Sequence, residues 1–383
     1  MDRIIYFDNN ATTKPLEEVI EAMLPFLHGE YANPSSVHQF GQRVKHQVEI
    51  ARERVARLIG AKPREITFTS CGTESINLAI RGLLAARPER RHVITSAVEH
   101  NAVRKVCSRL ADDGCEVEAI DVDAQGRLDL AEFESTLRDE TGLVTFMYAN
   151  NETGVLFPIQ QIAEICSDRG VPLHVDAVQA AGKVPIDVEQ LPATLLSMSA
   201  HKFHGPKGAG ALFIRRRTRI SPHVLGGSQE RNLRGGTEHV PGIIGMGVAA
   251  EAAMNRTAEA KDRVRALRDR LEAGLTGATS TAHVIGGGAE RIYNTANIAF
   301  EGLEAEAVLI LLSEAGVCVS SGSACSSGSL EPSHVLAAMG IPSHIAHGAI
   351  RFSLSHFNTE EEVDRVVTLM PSILERLSTL SRR

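Results

Sequence analysis

The sequence predicts an α/β fold, a mainly parallel sheet covered by helices and joined to a smaller α+β unit. Two observations carry that expectation. Short apolar runs alternate with amphipathic segments between residues 65 and 214, and repeated strand–helix–strand units build parallel sheets buried on both faces. Polar residues suited to chemistry follow the ends of those runs, as Gly72-Thr73, Glu99-His100, Asn150-Asn151, Asp176 and Lys202. Folds of this class bind ligands outside the carboxyl ends of their strands.

The elements follow in order. Glu65–Ser70 reads as a strand and Glu74–Ala86 as a helix with Ile76, Ile80, Leu83 and Leu84 on its apolar side. His92–Ser96 and Leu143–Ala149 read as strands, Ile159–Arg169 as a helix and Val171–Asp176 as a strand. Thr194–Ser199 and Ala209–Ile214 are two further strands joined by a Gly/His/Lys turn. Glu251–Leu275 is a long charged amphipathic helix leading into the second unit. That unit has strand patterns at Asn297–Phe300, Val317–Ser320 and Ala349–Leu354, and helix patterns at Glu304–Glu314 and Glu360–Arg376. Residues 15–259 are expected to form the large domain, and residues 1–14 with 260–383 the small one.

Composition bounds the function. The chain has 383 residues, 43% of them hydrophobic and 23% charged, with a net charge of −7. That balance is ordinary for a soluble globular protein and argues against nucleic-acid binding. The run Arg215-Arg216-Arg217 follows an apolar strand and reads as a solvated strand end. No apolar run approaches the roughly 20 residues that span a bilayer, and the opening Met1-Asp2-Arg3-Ile4-Ile5 lacks a signal-peptide core. Six cysteines without a Cys-x-x-Cys pair suggest neither a zinc site nor a disulfide framework. A cytoplasmic protein with no membrane partner and no resident metal is the expectation.

Several motifs carry chemistry. In Ala200-His201-Lys202-Phe203-His204-Gly205, a lysine directly follows a buried strand; desolvation and neighbouring cations lower an amine's pKa and make it a Schiff-base nucleophile. In His174-Val175-Asp176, a strand ends in a carboxylate, which suits either a protonated ring nitrogen or the cap of a following helix. Ser70-Cys71-Gly72-Thr73-Glu74 lies between strand and helix, where free N–H groups cradle a phosphate or are simply capped. His100 suits ring stacking and proton transfer, or helix capping. Asn151 suits a substrate hydrogen bond or a plain turn. Arg351, inside an apolar strand, needs an anion, from substrate or from an internal salt bridge. Finally, Ser320 to Ser329 form an uncharged Ser/Gly stretch around Cys325, the composition of a mobile loop, expected over about residues 320–332.

Together these residues resemble the NifS/IscS-like cysteine desulfurases. The resemblance covers essentially the whole chain, from Tyr6-Phe7-Asp8-Asn9-Asn10-Ala11-Thr12-Thr13 to Arg351-Phe352-Ser353-Leu354. Its most specific motifs are Ala200-His201-Lys202, His174 to Gln179, and Ser321-Gly322-Ser323-Ala324-Cys325. Asn150 to Gly154, Gly182 to Asp187 and Ser329 to His334 look closest to the nitrogen-fixation NifS branch.

The resemblance implies fold type I of the pyridoxal 5'-phosphate (PLP) enzymes, as in the class V aminotransferases. It implies that Lys202 holds PLP as a Schiff base and later transfers protons, with Cys325 as nucleophile and His100 as stacking and acid–base residue. Asp176 would pair with the pyridine nitrogen and Gln179 with the ring 3-oxygen. Gly72, Thr73, Ser199 and His201 would hold the phosphate, joined by Thr237 from the other subunit of a homodimer. Asn151, Arg351 and Asn33 would bind the substrate, L-cysteine. The sulfur would leave as a Cys325 persulfide, bound for a NifU-like or IscU-like iron–sulfur scaffold with which Cys325 would transiently share a cluster. Nitrogenase maturation is the expected destination. A housekeeping IscS-type donor or a selenocysteine lyase is the alternative on the same scaffold. Tyr31-Ala32 and Ser228 depart from the Phe-Gly and His usual in the family.

Overall fold

The computed structural model describes residues 4–321 and 333–381, apart from side chains at 256–260 and 380–381. A short opening strand, β1 (Ile5–Tyr6), precedes a seven-stranded sheet. The sheet holds β2 (Ile66–Thr69), β3 (His92–Ser96), β4 (Glu116–Ile120), β5 (Thr141–Met147), β6 (Leu173–Asp176), β7 (Leu195–Ser199) and β8 (Gly210–Ile214). Their spatial order is β2-β8-β7-β6-β5-β3-β4. Pairing is parallel from β4 across to β7, whereas β8 runs antiparallel to both β7 and β2. The mainly parallel sheet expected from the sequence is therefore present, with one reversed strand. The turn at Gly205–Gly208 returns the chain directly beside β7, which only antiparallel pairing permits.

Alternation along the strands splits the sheet's side chains between two cores. Val93, Leu143, Leu195 and Leu212 pack with Ile76, Leu83, Val103 and Val106 on one face. Their neighbours Ile94, Val144, Leu196 and Phe213 face the other way, into the larger core. Each successive residue points to the opposite face, so continuous apolar strands are covered on both sides. β4 is the edge strand, and its sequence EVEAI is mostly exposed or half-buried.

A third core gathers Ile5, Phe7, Ile298, Phe300, Ile350, Phe352, Val363 and Val366. It lies around β9 (Ala282–Val284), β10 (Thr295–Phe300), β11 (Val317–Cys318) and β12 (Ala349–Ser353). β10 pairs antiparallel with both β9 and β12, while β1 pairs parallel with β11. The helix Val240–Ala278 contributes Ile243 and Met246 to the larger core of the sheet and Val264, Leu267 and Leu271 to the third core. It begins eleven residues before the predicted Glu251. The added stretch, Val240 to Ala250, is apolar nearly all round, so it shows no amphipathic period.

The topology aims one sheet edge at the site. β2, β3, β5, β6 and β7 end at Thr69, Ser96, Met147, Asp176 and Ser199, and the next residues of each chain segment carry the chemistry.

Candidate functional site

Lys202 lies in a one-turn 3-10 helix, Ala200–Lys202, immediately after β7. Its Nζ donates to the carbonyl oxygens of Asn10 and Ala11, at 2.6 and 2.9 Å. The strand-end lysine is thereby tied to the N-terminal segment. Asn10 is 1% exposed and connects most of the site. Its Nδ2 donates to Asn151 O (3.2 Å) and Thr295 Oγ1 (2.9 Å), its backbone N–H donates to Ser353 Oγ (2.9 Å), and its Oδ1 accepts from Asn294 Nδ2 (3.2 Å). Gln179 Nε2 donates to the same Asn10 carbonyl that Lys202 uses, at 2.9 Å.

Asp176 ends β6, buried, with Oδ1 accepting from the N–H of Val178 at 3.0 Å. Burial pushes its carboxyl up, while His100, the Val178 N–H and Lys202 pull it back toward the charged form. His100 caps the helix Asn101–Asp112, its Nδ1 accepting from the Ala102 N–H at 3.1 Å. A neutral imidazole that accepts at Nδ1 carries its proton on Nε2. Burial lowers the His100 pKa, Asp176 opposes that shift and the Lys202 charge adds to it. The capping and chemical readings of His100 are compatible, because the cap engages one ring nitrogen and fixes the ring. His201 is pushed down to about 4 by burial and by Lys202, Lys207 and Lys183. Its Nδ1 lies 3.1 Å from Thr12 Oγ1.

Gly72 opens the helix Gly72–Ala85. The first N–H groups of any helix lack intrahelical acceptors and carry the positive end of its dipole. A Cβ at Gly72 would stand 2.8 Å from Val178 Cγ2 and 3.5 Å from Ser199 Cβ, so glycine preserves a narrow cradle there. The Ser199 hydroxyl beside it is buried and has no hydrogen-bond partner among the described residues. A buried donor without an acceptor is costly unless a ligand satisfies it. Thr73 is exposed at the same helix start. Glu74 is held charged by Ser70 N–H (2.8 Å) and by Arg234 (2.9 Å), against the opposing effect of burial. The Arg234 contact ties the helix start to the loop that carries the exposed Thr237.

Asn150 builds the turn that presents Asn151. Its Oδ1 accepts from the N–H groups of Glu152 and Thr153, at 2.9 and 3.0 Å, and Gly154 closes the turn at a φ of +79°. The Asn151 carbonyl then accepts from Arg351 Nη1 at 3.0 Å. Arg351 is 2% exposed on β12 and also donates to Asp8 Oδ1 at 2.8 Å. Of the two anions considered from sequence, the internal carboxylate is thus in contact. Asn33 stands apart, in an exposed turn where its Oδ1 accepts from Ser35 N–H at 2.8 Å.

Cys325 lies outside the described residues, but the chain on either side of it is anchored at this site. Ser320 exchanges two backbone hydrogen bonds with Arg351, at 2.7 and 3.2 Å. Ser333 Oγ donates to Glu152 Oε2 at 2.6 Å, and His334 Nε2 lies 2.9 Å from the Glu99 carbonyl.

Sequence reasoning gave no role to Asn10, Lys183, Glu99 or Glu152. Asn10 sat within a quoted motif, and Lys183 was a charge inside the otherwise small and apolar run Ala180 to Ile186. That mismatch was the available signal. In chemical terms the arrangement fits a planar phosphorylated group such as PLP. A lysine amine, a buried carboxylate and an imidazole converge, and a glycine-lined helix start with an unsatisfied hydroxyl waits for an anion.

Residues 5–366 match the protein-family model described as Aminotransferase class-V, whose members are PLP-dependent. The chain is 54% identical over 378 residues to "Cysteine desulfurase 2" of Trichormus variabilis, covering 99% of this chain and 95% of that protein. It is 51% identical over 378 residues to "Cysteine desulfurase NifS" of Azotobacter vinelandii, covering 98% and 94% respectively. A solved structure named "NIFS-LIKE PROTEIN" superposes with a TM-score of 0.92 at 40% identity, covering 98% of this chain and all of that one.

Proposed function

Because this chain belongs to the aminotransferase class-V family, we propose that it is a PLP-dependent cysteine desulfurase. It would convert L-cysteine to L-alanine and collect the sulfur as a persulfide on Cys325. The observation that carries this reading is the convergence of Lys202, Asp176 and His100 at one sheet edge, with Arg351 of β12 joined to that edge through the Asn151 carbonyl. It stands beside an identity of 54% to a protein named cysteine desulfurase.

When bound, PLP supplies the electron sink that loosens the amino acid's α-hydrogen and its Cβ–S bond. Lys202 holds the cofactor through Nζ and, once released, carries the α-proton. Asp176 would supply the carboxylate for the ring nitrogen, His100 would stack on the ring, and Gln179 would meet the 3-oxygen. Gly72, Thr73, Ser199 and His201 take the phosphate, with Thr237 reaching in from the second subunit of a homodimer. Arg351 and Asn151 would orient the substrate carboxylate, and Asn33 is the third substrate-binding residue of this reading. The Cys325 thiolate attacks the substrate sulfur: the S–S bond forms as the Cβ–S bond breaks, and the carbon takes a proton to become the alanine methyl.

The sulfur acceptor in this reading is a NifU-like iron–sulfur scaffold serving nitrogenase, supported by the NifS relative, and the compartment is the cytoplasm. No helix among the described residues is long and apolar enough to cross a membrane. This reading divides the chain into a large domain over residues 15–259 and a small one from 1–14 and 260–383; the core of Ile5, Phe7, Ile298 and Phe352 falls within the small one, whereas the larger core also takes in Ile285, Val335 and Met339.

The test supplies L-cysteine and a thiol reductant and measures alanine and sulfide together. Equal yields are expected, with both lost in Cys325→Ala while the cofactor absorbance remains. Sulfide release by Cys325→Ala at the parent rate would overturn the assignment. Labelled sulfur passed to an IscU-like but not a NifU-like scaffold would make the enzyme a housekeeping donor.

A further inference from the structure

We propose that Lys183 is a positioning residue of this site: its amine fixes the orientation of the Gln179 amide and so turns the Gln179 Nε2 hydrogens toward the Lys202 pocket. Lys183 is 6% exposed. Its Nζ donates to Gln179 Oε1 at 2.8 Å and to Asn10 Oδ1 at 3.5 Å. An amide side chain has one accepting end and one donating end. With Oε1 engaged by Lys183, Nε2 faces the Asn10 carbonyl at 2.9 Å, the carbonyl that also accepts from Lys202. The flipped amide would set Oε1 against that carbonyl and Nε2 against the Lys183 amine, two repulsive contacts in a buried site. The second Nε2 hydrogen has no acceptor among the described residues.

Lys183 and Lys202 both line one narrow cavity of about 50 Å³, with Asn9, Thr13 and Asn294. Burial, Lys202 and Arg351 bring the Lys183 amine down to about 7. The ammonium form only donates and so enforces the orientation, whereas the neutral amine can also accept and leaves the choice to the Asn10 carbonyl. The titratable and charged groups around this network are Lys202 and His201 after β7, Asp176 at the end of β6, His100 at its helix start, and Arg351 with Asp8.

This inference rests on the reading above, in which Gln179 meets the ring 3-oxygen of PLP. A donor on that oxygen stabilises its negative charge and lowers the pH at which the neighbouring Schiff-base proton leaves. The experiment titrates the visible absorbance of the cofactor-loaded parent, Lys183→Met, Lys183→Gln, Gln179→Ala and the Lys183→Met/Gln179→Ala double variant. The expected result is an upward shift of the midpoint in Lys183→Met by about one pH unit. Lys183→Gln keeps an N–H for Gln179 Oε1 and should stay within about 0.3 units of the parent. In the Gln179→Ala background, Lys183→Met should add nothing, because coupled residues are non-additive. An unchanged midpoint in Lys183→Met, an equal shift in Lys183→Gln, or a full shift without Gln179 would each overturn the proposal. A parent that acquires no absorbance with PLP would instead overturn the functional reading on which it rests.

Discussion

Lys202 Nζ donates to the backbone carbonyl of Asn10 at 2.6 Å, joining the end of β7 to a segment 192 residues earlier in the chain. The carbonyl is held by the Asn10 side chain, which reaches Asn151, Thr295 and Asn294. Asn10→Ala would leave Thr295 and Asn294 without those contacts in a buried site. The expected loss is about 1–3 kcal/mol of stability, with a weaker apparent affinity for L-cysteine through the displaced Asn151. Urea unfolding and KM for L-cysteine check both parts.

Glu99 sets a pH dependence. Burial raises its carboxyl from an ordinary 4.5 to about 8, against the hydrogen bonds from Ser96 and Met147. Its Oε1 accepts both of those bonds and its buried Oε2 has no partner among the described residues. The folded state therefore keeps this proton while the unfolded chain gives it up above pH 4.5. Its stability contribution is full below pH 4.5 and is lost as pH rises through about 8. Between those limits the slope is at most about −1.4 kcal/mol per pH unit. Glu99→Gln should flatten the stability difference across that window, read by urea melts at successive pH values. A slope equal to the parent's would refute the assignment.

Ser333 holds the chain just beyond the Cys325 segment to Glu152, whose carboxyl is buried and raised in pKa by that burial. Ser333→Ala should leave the cofactor spectrum intact while slowing persulfide formation by about ten- to hundredfold, the cost of imperfect positioning of a reacting group. Single-turnover kinetics with L-cysteine separate this from a binding defect.

Glu230 occupies the left-handed region at a φ of +45°, followed by Arg231 and Asn232 at +58° and +65°. Its carboxylate makes a two-pronged pair with Arg52, at 2.7 and 2.8 Å, and accepts from Phe68 N–H at 2.8 Å. Glu230→Ala leaves the buried Arg52 to the half-exposed Glu49 carboxylate at 3.2 Å and the Ile66 carbonyl, so a loss of about 3 kcal/mol is expected in chemical unfolding.

These relationships show what the sequence could and could not disclose. Buried strands such as β5 and β7 announced themselves as apolar runs, and the polar residues at their ends marked the site edge. The edge strand β4 carried no such run, because two glutamates and partial exposure erase the pattern. The helix Gln39–Leu58 went unassigned although Val44, Val48, Ala51 and Val55 line its buried side. Its charged positions outweigh that stripe. Arg351 was recognised as a buried cation needing an anion, yet sequence spacing could not select Asp8, which pairs across 343 residues. Asn10 and Lys183 escaped assignment for the same reason: their meaning lies in contacts made between distant segments.

In the proposed function, Cys325 receives sulfur from L-cysteine in a site organised by Lys202. The direct measurement is mass spectrometry of the Cys325 peptide after one turnover with L-cysteine labelled at sulfur. One labelled sulfur atom is expected on Cys325 in the parent and none in Lys202→Ala. Label on another cysteine with Cys325 unmodified, or undiminished labelling in Lys202→Ala, would contradict it.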